Sequence, residues 1–126
     1  AAEGAASTLI FDAVDRGVGG AVADAVGERL QRLAQSEQVL VVTHSPQVAA
    51  RGSHHLRISK SLSAGSMATR VELLDAAGRR EEIARLLSGA KITNAARAAA
   101  DQVLEAPVRK PAERRRATCE ARMPGG

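Results

Sequence analysis

Two short apolar runs on either side of a helical stretch constrain the fold of this chain more than any other feature. Residues 8–14 (Thr-Leu-Ile-Phe-Asp-Ala-Val) and 38–43 (Gln-Val-Leu-Val-Val-Thr) have the length and composition of buried parallel strands. Between them, apolar residues recur at helical spacing: Val22, Val26, Leu30 and Leu33. Charged residues such as Asp24 and Glu28 fill the other faces of this predicted helix, which ends near Ser36. The order predicts a βαβ unit of an α/β fold with a right-handed crossover.

A short helix and a pair of strands are predicted next. Ser45 is suited to cap a helix over residues 46–50, because the proline that follows it fits a first helical turn. Apolar residues alternate with polar ones at 56–58 and again at 71–73, which predicts two half-exposed strands. A Ser/Gly-rich loop at residues 61–66 is expected to join them.

Two helices are predicted to complete the folded part. Residues 80–88 carry apolar side chains on one helical face, and Gly89 is expected to close that helix. An alanine-rich helix then begins at Thr93 and extends to about Glu105. The chain has no internal repeat, so it is expected to form one domain at most, with a modest core.

Charge separates a neutral folded part from a basic tail. Residues 1–106 carry 12 Lys and Arg against 12 Asp and Glu, whereas residues 107–126 carry six basic residues against two acidic ones. The tail has almost nothing to bury and is expected to be disordered. The predicted organisation is a disordered or residual segment at 1–7, a folded unit at 8–106, and the tail. The net charge of +4 is therefore no sign of a nucleic-acid-binding surface on the folded unit.

Composition limits the compartment and the kind of core. Phe11 is the single aromatic residue, so Ala, Val and Leu must fill the interior. One cysteine, Cys119, excludes an internal disulfide and fits a reducing cytoplasm. No run approaches the roughly 20 apolar residues of a membrane helix, and residues 1–7 lack the basic region of a secretory signal. We expect a soluble, cytoplasmic protein with no membrane partner.

Three polar segments follow the predicted parallel strands. Asp12 ends the first strand, residues 15–20 form a glycine-rich turn, and residues 43–47 (Thr-His-Ser-Pro-Gln) follow the second strand. The carboxyl ends of parallel strands share one edge, where ligands of open sheets bind. An aspartate there can hold hydrated Mg²⁺ whose other ligands are phosphates, and a histidine can donate to a phosphate oxygen. Each feature alone is more often structural: an aspartate capping a turn, a plain glycine connection, or a lone structural histidine.

The combination of these segments is more specific than its parts. Asp-x-x-Asp-x-Gly-x-Gly-Gly, a helix, a strand and Val-Thr-His resemble the second half of an ABC-type or SMC-like ATPase head. The longer sequence patterns around these motifs resemble those of the RecN family of SMC-like proteins, which act in bacterial double-strand-break repair. The matching stretches are Leu9-Ile-Phe-Asp-x-Val-Asp-x-Gly-Val-Gly-Gly, Val42-Thr-His-x-Pro-Gln-Val-Ala-Ala-Arg-Gly, His55-Leu-x-Ile-x-Lys60 and Glu82-Ile-Ala-Arg-x-Leu-x-Gly89. This resemblance extends from residue 8 to about residue 105.

The resemblance implies a fold and a set of roles. The fold would be the C-terminal part of a P-loop NTPase domain of the ABC-type head, incomplete, with parallel strands flanked by helices. Asp12 would hold the Mg²⁺ of bound ATP through water, and His44 would sense the γ-phosphate. Asp15 and Gly17 would belong to the D-loop that crosses to a partner head. Gln47 matches the family wording, with no role assigned to it beyond capping or packing.

The sequence also departs from the family. Ala13 stands where the family has the glutamate that polarises the attacking water, and loss of a general base costs roughly 10²–10⁴-fold in rate. The chain contains no G-x-x-x-x-G-K-[ST] phosphate loop, no Ser-Gly-Gly signature and no long coiled-coil heptads. We therefore expect a fragment that binds neither ATP nor Mg²⁺ alone and is not an ATPase unaided.

The same resemblance implies partners. These are the missing N-terminal half of the head, a second head in a homodimer, and DNA bound through the intact, nucleoid-associated protein. We expect exposed apolar surface where the missing half would pack, and hence self-association.

Two other interpretations remain open from the sequence. One alternative is that the chain is a non-catalytic interaction module, or a degenerate remnant, whose basic tail at 107–126 binds nucleic acid. The affinity of such binding would fall steeply as the salt concentration rises. The chain is alternatively the tail half of another ABC-type ATPase, although the Pro-Gln-Val-Ala-Ala-Arg-Gly run after His44 favours the RecN family. Three motifs in the expected order favour the repair-ATPase fragment over both.

Overall fold

The described part of the chain is an α/β structure with two small sheets and four helices. The computed structural model describes residues 7–12 and 17–106. Its elements in chain order are β1 (Thr8–Asp12), α1 (Gly20–Leu33), β2 (Gln38–Val42), α2 (Pro46–Ala50), β3 (Leu56–Ser63), β4 (Ser66–Leu73), α3 (Ala76–Ser88) and α4 (Asn94–Glu105). The predicted segment at 1–7, except Ser7, and the predicted tail at 107–126 lie outside the described residues. No described helix is long and apolar enough to cross a membrane.

Strands β1 and β2 pair in parallel, with α1 between them in the chain, which confirms the predicted βαβ order. Their register extends from Thr8 beside Gln38 to Asp12 beside Val42. The prediction that both strands are buried is wrong, because exposure alternates along each strand. Among the described residues this sheet has only two strands, and the face that holds alternate residues from Thr8 to Asp12 is exposed. Three apolar side chains lie exposed there: Ile10, Leu40 and Val42.

Small residues decide how α1 packs. Its buried positions are Ala23, Gly27 and Glu28, whereas Val22, which the apolar periodicity assigned to the core, is 53% exposed. A Cβ on Gly27 would lie 3.3 Å from the Cα of Val48, so glycine is what allows α2 to approach α1 this closely. The helix itself was predicted correctly, and its apolar face in part, because Val26, Leu30 and Leu33 are half-buried.

Side-chain caps begin three of the helices. Ser45 accepts a hydrogen bond from the N–H of Val48, and Thr93 accepts one from the N–H of Ala96, as the sequence predicts for α2 and α4. Helix α3 begins one turn earlier than predicted, because Asp75 accepts a hydrogen bond from the N–H of Gly78. The predicted end of α3 is confirmed, since Gly89 follows it with a φ of 78°.

Helices α3 and α4 enclose the main apolar cluster, which is built from small side chains. Its fully or nearly fully buried members are Ile83, Ala84, Ala96 and Ala100. Two ion pairs cross the same helix pair on its outer side. Arg80 binds Asp101 at 2.7 Å, and Arg97 binds Glu81 at 2.7 Å. The alanine-rich composition therefore has the expected result, a thin core in which helices lie close together.

Strands β3 and β4 form an antiparallel hairpin that is longer than predicted. They pair from Leu56 beside Leu73 to Ser63 beside Ser66, so the predicted loop at residues 61–66 is wrong. Only Ala64 and Gly65 lie between the strands, and both have positive φ, 50° and 78°. Two residues in the left-handed backbone conformation form a tight turn that matches the twist of a hairpin, so the strands stay paired up to the turn.

The contact at Gly27 gives a first test of this packing. Gly27→Val would put branched carbons against the backbone of α2, and overpacking of this kind costs about 1–3 kcal/mol. Ala25→Val, at an exposed position of the same helix, is the matched control and should cost about 0.5 kcal/mol through helix propensity. Urea unfolding followed by far-UV circular dichroism measures both. Equal losses in the two variants would contradict the assigned helix contact.

Candidate functional site

The carboxyl edge of the β1–β2 sheet brings together the polar residues that the sequence singled out. Asp12 is the last residue of β1 and lies beside Val42, the last residue of β2. His44 follows two residues later, and both Asp12 and His44 are exposed to solvent. Gly17, with a φ of 78°, begins the described connection that leads from this edge into α1. The parallel register places Asp12 and the start of the loop that carries His44 at the same edge of the sheet.

Hydrogen bonds fix the loop that carries His44. The N–H of Ser45 donates to Thr43 Oγ1 at 2.9 Å, which tightens the turn around His44. The Ser45 hydroxyl accepts from the N–H of Val48 at 3.4 Å and donates to Gln47 Oε1 at 3.0 Å. His44 therefore lies in a loop whose conformation is fixed by hydrogen bonds of Thr43 and Ser45, the residues on either side of it.

Gln47, which had no assigned role, packs between this loop and the start of α1. Its Nε2 lies 3.4 Å from the position that a Cβ on Gly20 would occupy, so a glycine there leaves room for the amide. The side chain also lines a shallow cavity of about 310 Å³ between α1, α2 and α4. The residues around that cavity are Gly20, Ala21, Asp24, Gln47, Gln102, Val103 and Ala106. Gln47 thus connects the His44 loop to the glycine-rich segment by contact.

The sequence analysis missed a buried arginine, Arg51, that links the end of α2, just after the His44 loop, to α1 and to the end of α4. Arg51 caps the C-terminal end of α2, and its side chain is only 6% exposed. Its guanidinium donates to Asp24 Oδ1 at 2.8 Å and to Glu28 Oε1 at 3.4 Å on α1. It also donates to the carbonyl oxygen of Ala106 at 3.3 Å, just after α4. Two acids four residues apart on α1 and an arginine within the matching run after His44 were the signals available.

A second arginine holds the other side of α2. The guanidinium of Arg79, on α3, donates to the carbonyl oxygens of Ala49 at 3.4 Å and of Ala50 at 2.8 Å, and also to that of Gly52. Ala49 and Ala50 are the last residues of α2 and Gly52 lies just after it, and a cation is favourable at the carbonyl end of a helix. Partial burial lowers the pKa of Arg79. Helix α2 is therefore anchored by Arg51 toward α1 and by Arg79 toward α3.

His55 lies next to this second anchor in a partly buried position. Burial lowers the pKa of His55; the nearby Arg79 and Arg57 lower it further, and Glu82 opposes them. Its Nδ1 is buried and has no hydrogen-bond partner among the described residues. Hydrogen bonds from Arg85 hold the pKa of Glu82 below its usual range. The neutral form of His55 is therefore favoured in the folded chain.

The donor set at the sheet edge limits what it can bind. Asp12 is a single exposed carboxylate, and the described part of the chain contains no group of three or more His, Cys, Asp or Glu side chains arranged to hold a metal ion. One carboxylate fits a hydrated Mg²⁺ that takes its remaining ligands from phosphates. The predicted roles of Ala13 and Asp15 fall outside the described residues and stay predictions.

Comparison with curated proteins identifies relatives along most of the chain, although no protein-family model matches it. The chain is 50% identical over 98 residues, 78% of its length, to the DNA repair protein RecN of Xylella fastidiosa (strain Temecula1). It is 45% identical over 100 residues to RecN of Rickettsia bellii, and 52% identical over 82 residues to RecN of Deinococcus radiodurans. The chain spans 18%, 18% and 14% of the lengths of these relatives.

A solved structure resembles the fold. The chain superimposes with a TM-score of 0.53 and 17% identity on a protein from work on ATP-driven dimerization and DNA-stimulated activation of SMC ATPases. The match covers 68% of this chain and 51% of the other. At this identity the likeness concerns the fold alone, and it confirms the predicted class, an α/β structure that corresponds to part of a P-loop ATPase head.

Removal of the buried cation tests the Arg51 anchor. Arg51→Met leaves Asp24, whose side chain is 32% exposed, without this cation, and leaves Glu28 only its longer ion pair with Arg32 at 3.7 Å. The expected loss is about 3 kcal/mol, at the lower end of the cost of breaking a buried ion pair from one side. Arg29→Met, at an exposed position of α1, is the control and should change the free energy of unfolding by less than about 0.5 kcal/mol. Urea denaturation gives both values. The double variant Arg51→Met/Glu28→Leu should recover part of the loss, and its failure to do so would contradict the assignment.

The depressed pKa of His55 predicts a pH effect on stability. The unfolded chain, in which His55 has its ordinary pKa near 6.5, binds the proton more readily than the folded chain, so stability falls as the pH drops through about 6.5. We expect a lower urea midpoint at pH 5.5 than at pH 7.5, with much of the difference abolished by His55→Gln. His54→Gln, at the exposed neighbouring position, should keep the difference. The carboxylates with lowered pKa titrate below this window. Equal pH dependence in the two variants would exclude His55 as the cause.

Proposed function

From its relationship to the RecN DNA repair proteins, which covers 78% of its length, we propose that this chain supplies part of the ATP site of a RecN-type repair protein. The process is ATP-dependent repair and recombination of DNA double-strand breaks. The chain contributes the Walker B aspartate, the D-loop and the switch histidine. The phosphate loop and the signature segment belong to polypeptide that this chain does not span.

The observation that carries the proposal is the parallel register of β1 and β2. It puts Asp12 beside Val42, so the aspartate and the loop of His44 leave the sheet at one edge. An exposed carboxylate and an exposed imidazole at such an edge suit a triphosphate with its cation. Asp12 would hold Mg²⁺ through water, and the cation, when bound, would neutralise charge on the phosphate oxygens.

The residues around this edge have distinct tasks in the proposed site. His44 would donate a hydrogen bond to the γ-phosphate, and the bonds among Thr43, Ser45 and Gln47 hold its loop in position. Gly17 and Asp15 would form the D-loop, in which a glycine backbone can approach a second head closely. Gln47 is a positioning residue, since its contacts are with Ser45 and Gly20.

Ala13 gives this site its particular behaviour. The family position of the catalytic glutamate holds a methyl group, which accepts no proton from water. An assembled site with Ala13 would bind ATP and close around it, and then hydrolyse it slowly. Such a protein would remain in the ATP-bound state far longer than a member with glutamate.

The proposed partners follow from the relatives. The RecN proteins are named for DNA repair, and the similar solved structure concerns SMC ATPases that dimerise with ATP and are activated by DNA. For this chain we propose the same partners within the assembled protein: a second head and DNA. Its place would be the cytoplasm, in association with the nucleoid. The RecN relatives at 41–52% identity favour this assignment over the tail half of another ABC-type ATPase.

A chimera tests the proposed function. Residues of this chain replace the matching 98-residue segment of Xylella RecN, which supplies the remaining motifs, and ATP turnover is measured. Ala13→Glu should raise the rate about 10²–10⁴-fold, because it restores the general base. His44→Ala in that background should remove most of the gain, whereas His54→Ala, at an exposed position before β3, should retain it. A chimera that binds ATP but shows no response to Ala13→Glu would overturn the proposed role of this edge.

A further inference from the structure

Two segments of the proposed site each continue directly into a helix, and those two helices pack against each other. The loop of His44 leads into α2, and the glycine-rich segment at residues 15–20 leads into α1, which begins at Gly20. A Cβ on Gly27 of α1 would lie 3.3 Å from the Cα of Val48 on α2, so the two backbones lie close together. Because close-packed groups transmit a displacement rather than absorb it, a shift of one helix moves the other.

Contacts at both ends of α2 keep it from turning on α1. In its first turn, the Nε2 of Gln47 lies 3.4 Å from the position that a Cβ on Gly20 would occupy. At its other end, the guanidinium of Arg51 donates to Asp24 Oδ1 at 2.8 Å and to Glu28 Oε1 at 3.4 Å. A helix of five residues is only about 7–8 Å long, so α2 cannot pivot without breaking one of these contacts.

The ion pairs of Arg51 contribute more to the position of α2 than apolar packing does. Val48 is the one buried residue of this helix, and a helix of this length is not stable by itself. The Arg51 side chain is 6% exposed, so salt screens its ion pairs less than it screens exposed ones. Arg79 holds the same helix end toward α3, whereas Arg51 holds it toward α1, the helix that the glycine-rich segment enters.

We propose that Arg51 is a positioning residue of the ATP site, whose ion pairs with α1 couple the position of the His44 loop to that of the glycine-rich segment. The inference rests on the proposed function, which gives His44 the γ-phosphate and the glycine-rich segment a second head. A displacement of His44 toward a bound triphosphate is carried through α2 and Arg51 to Asp24, which lies one turn after the start of α1. Arg51 acts through these elements and does not itself contact the phosphates.

Turnover of the Xylella RecN chimera that carries Ala13→Glu tests this coupling. Asp24→Ala is the main variant, because it removes the shorter ion pair of Arg51 while the other acceptors of that cation remain. Asp101→Ala is the matched control, since it breaks an ion pair of 2.7 Å between α3 and α4, and the two carboxylate side chains are 32% and 43% exposed. Equilibrium binding of ATP counts the assembled sites, so that kcat refers to these sites only.

The expected result is a kcat per site about tenfold lower in Asp24→Ala, because a misplacement of about 1 Å by a remote substitution can cost up to about 10²-fold. The KM for ATP should stay within about twofold, since the lost contact matters for reaching the transition state and not for binding. Asp101→Ala should leave both constants unchanged. Arg51→Met should lower kcat at least as far as Asp24→Ala does, and Arg51→Lys, which keeps the charge, should recover part of that loss.

Equal kcat per site in Asp24→Ala and Asp101→Ala would contradict the coupling. A loss confined to the number of ATP-binding sites would also contradict it, since a purely structural role has that effect. If the chimera does not respond to Ala13→Glu at all, the proposed function fails and this inference fails with it. If it responds, and Asp24→Ala leaves kcat unchanged, the inference alone is wrong and the assignment of Asp12 and His44 stands.

Discussion

The buried guanidinium of Arg51 is the contact on which the arrangement of this chain depends. It extends from the end of α2, and it binds two carboxylates of α1 and the carbonyl oxygen of Ala106, just after α4. A cation in such a position stabilises the fold only when its acceptors are complete, since a buried charge without partners is costly. Gly27 makes the position accessible, because a larger residue would contact the Arg51 stem and the backbone of α2. Helix packing here is specified by a glycine and a charge more than by apolar volume.

Local signals in the sequence predicted the order of the elements and most of their ends. The caps Ser45 and Thr93, the closing Gly89 and the parallel strands were all available from residue type and spacing. Burial was not, because it depends on what lies beside an element and not on the element's own sequence. Strand β1 has the composition of a central strand, yet Ile10 is 68% exposed, since none of the described helices covers that face of the sheet. On α1 the apolar periodicity failed only at Val22, and the most deeply buried positions lie at the small residues Ala23 and Gly27.

At the candidate site too, the sequence predicted some features and not others. Asp12 and His44 were found from their places after two strands, and the register brings them to one edge. The hydrogen bonds of Ser45 to Thr43 and Gln47, and the links from Arg51 to α1, join residues whose side-chain directions no motif specifies. Arg51 and Asp24 are 27 positions apart, so their pairing follows from the packing of two helices. The motif thus identifies the chemical groups, while the tertiary contacts decide how firmly each is held.

The uncovered apolar faces connect the stability of this chain to the assembly of its site. Both sheets have one, with Ile10, Leu40 and Val42 exposed on the parallel sheet and six side chains exposed on the hairpin. A partner that binds only the folded form stabilises it by mass action, in proportion to the logarithm of its concentration over its dissociation constant. If that partner also carries the phosphate loop, the contact that covers the apolar faces also completes the edge at Asp12 and His44. Assembly of the proposed site and completion of the fold would then be a single event, since the uncovered face of the parallel sheet reaches the candidate edge, where Val42 lies beside Asp12.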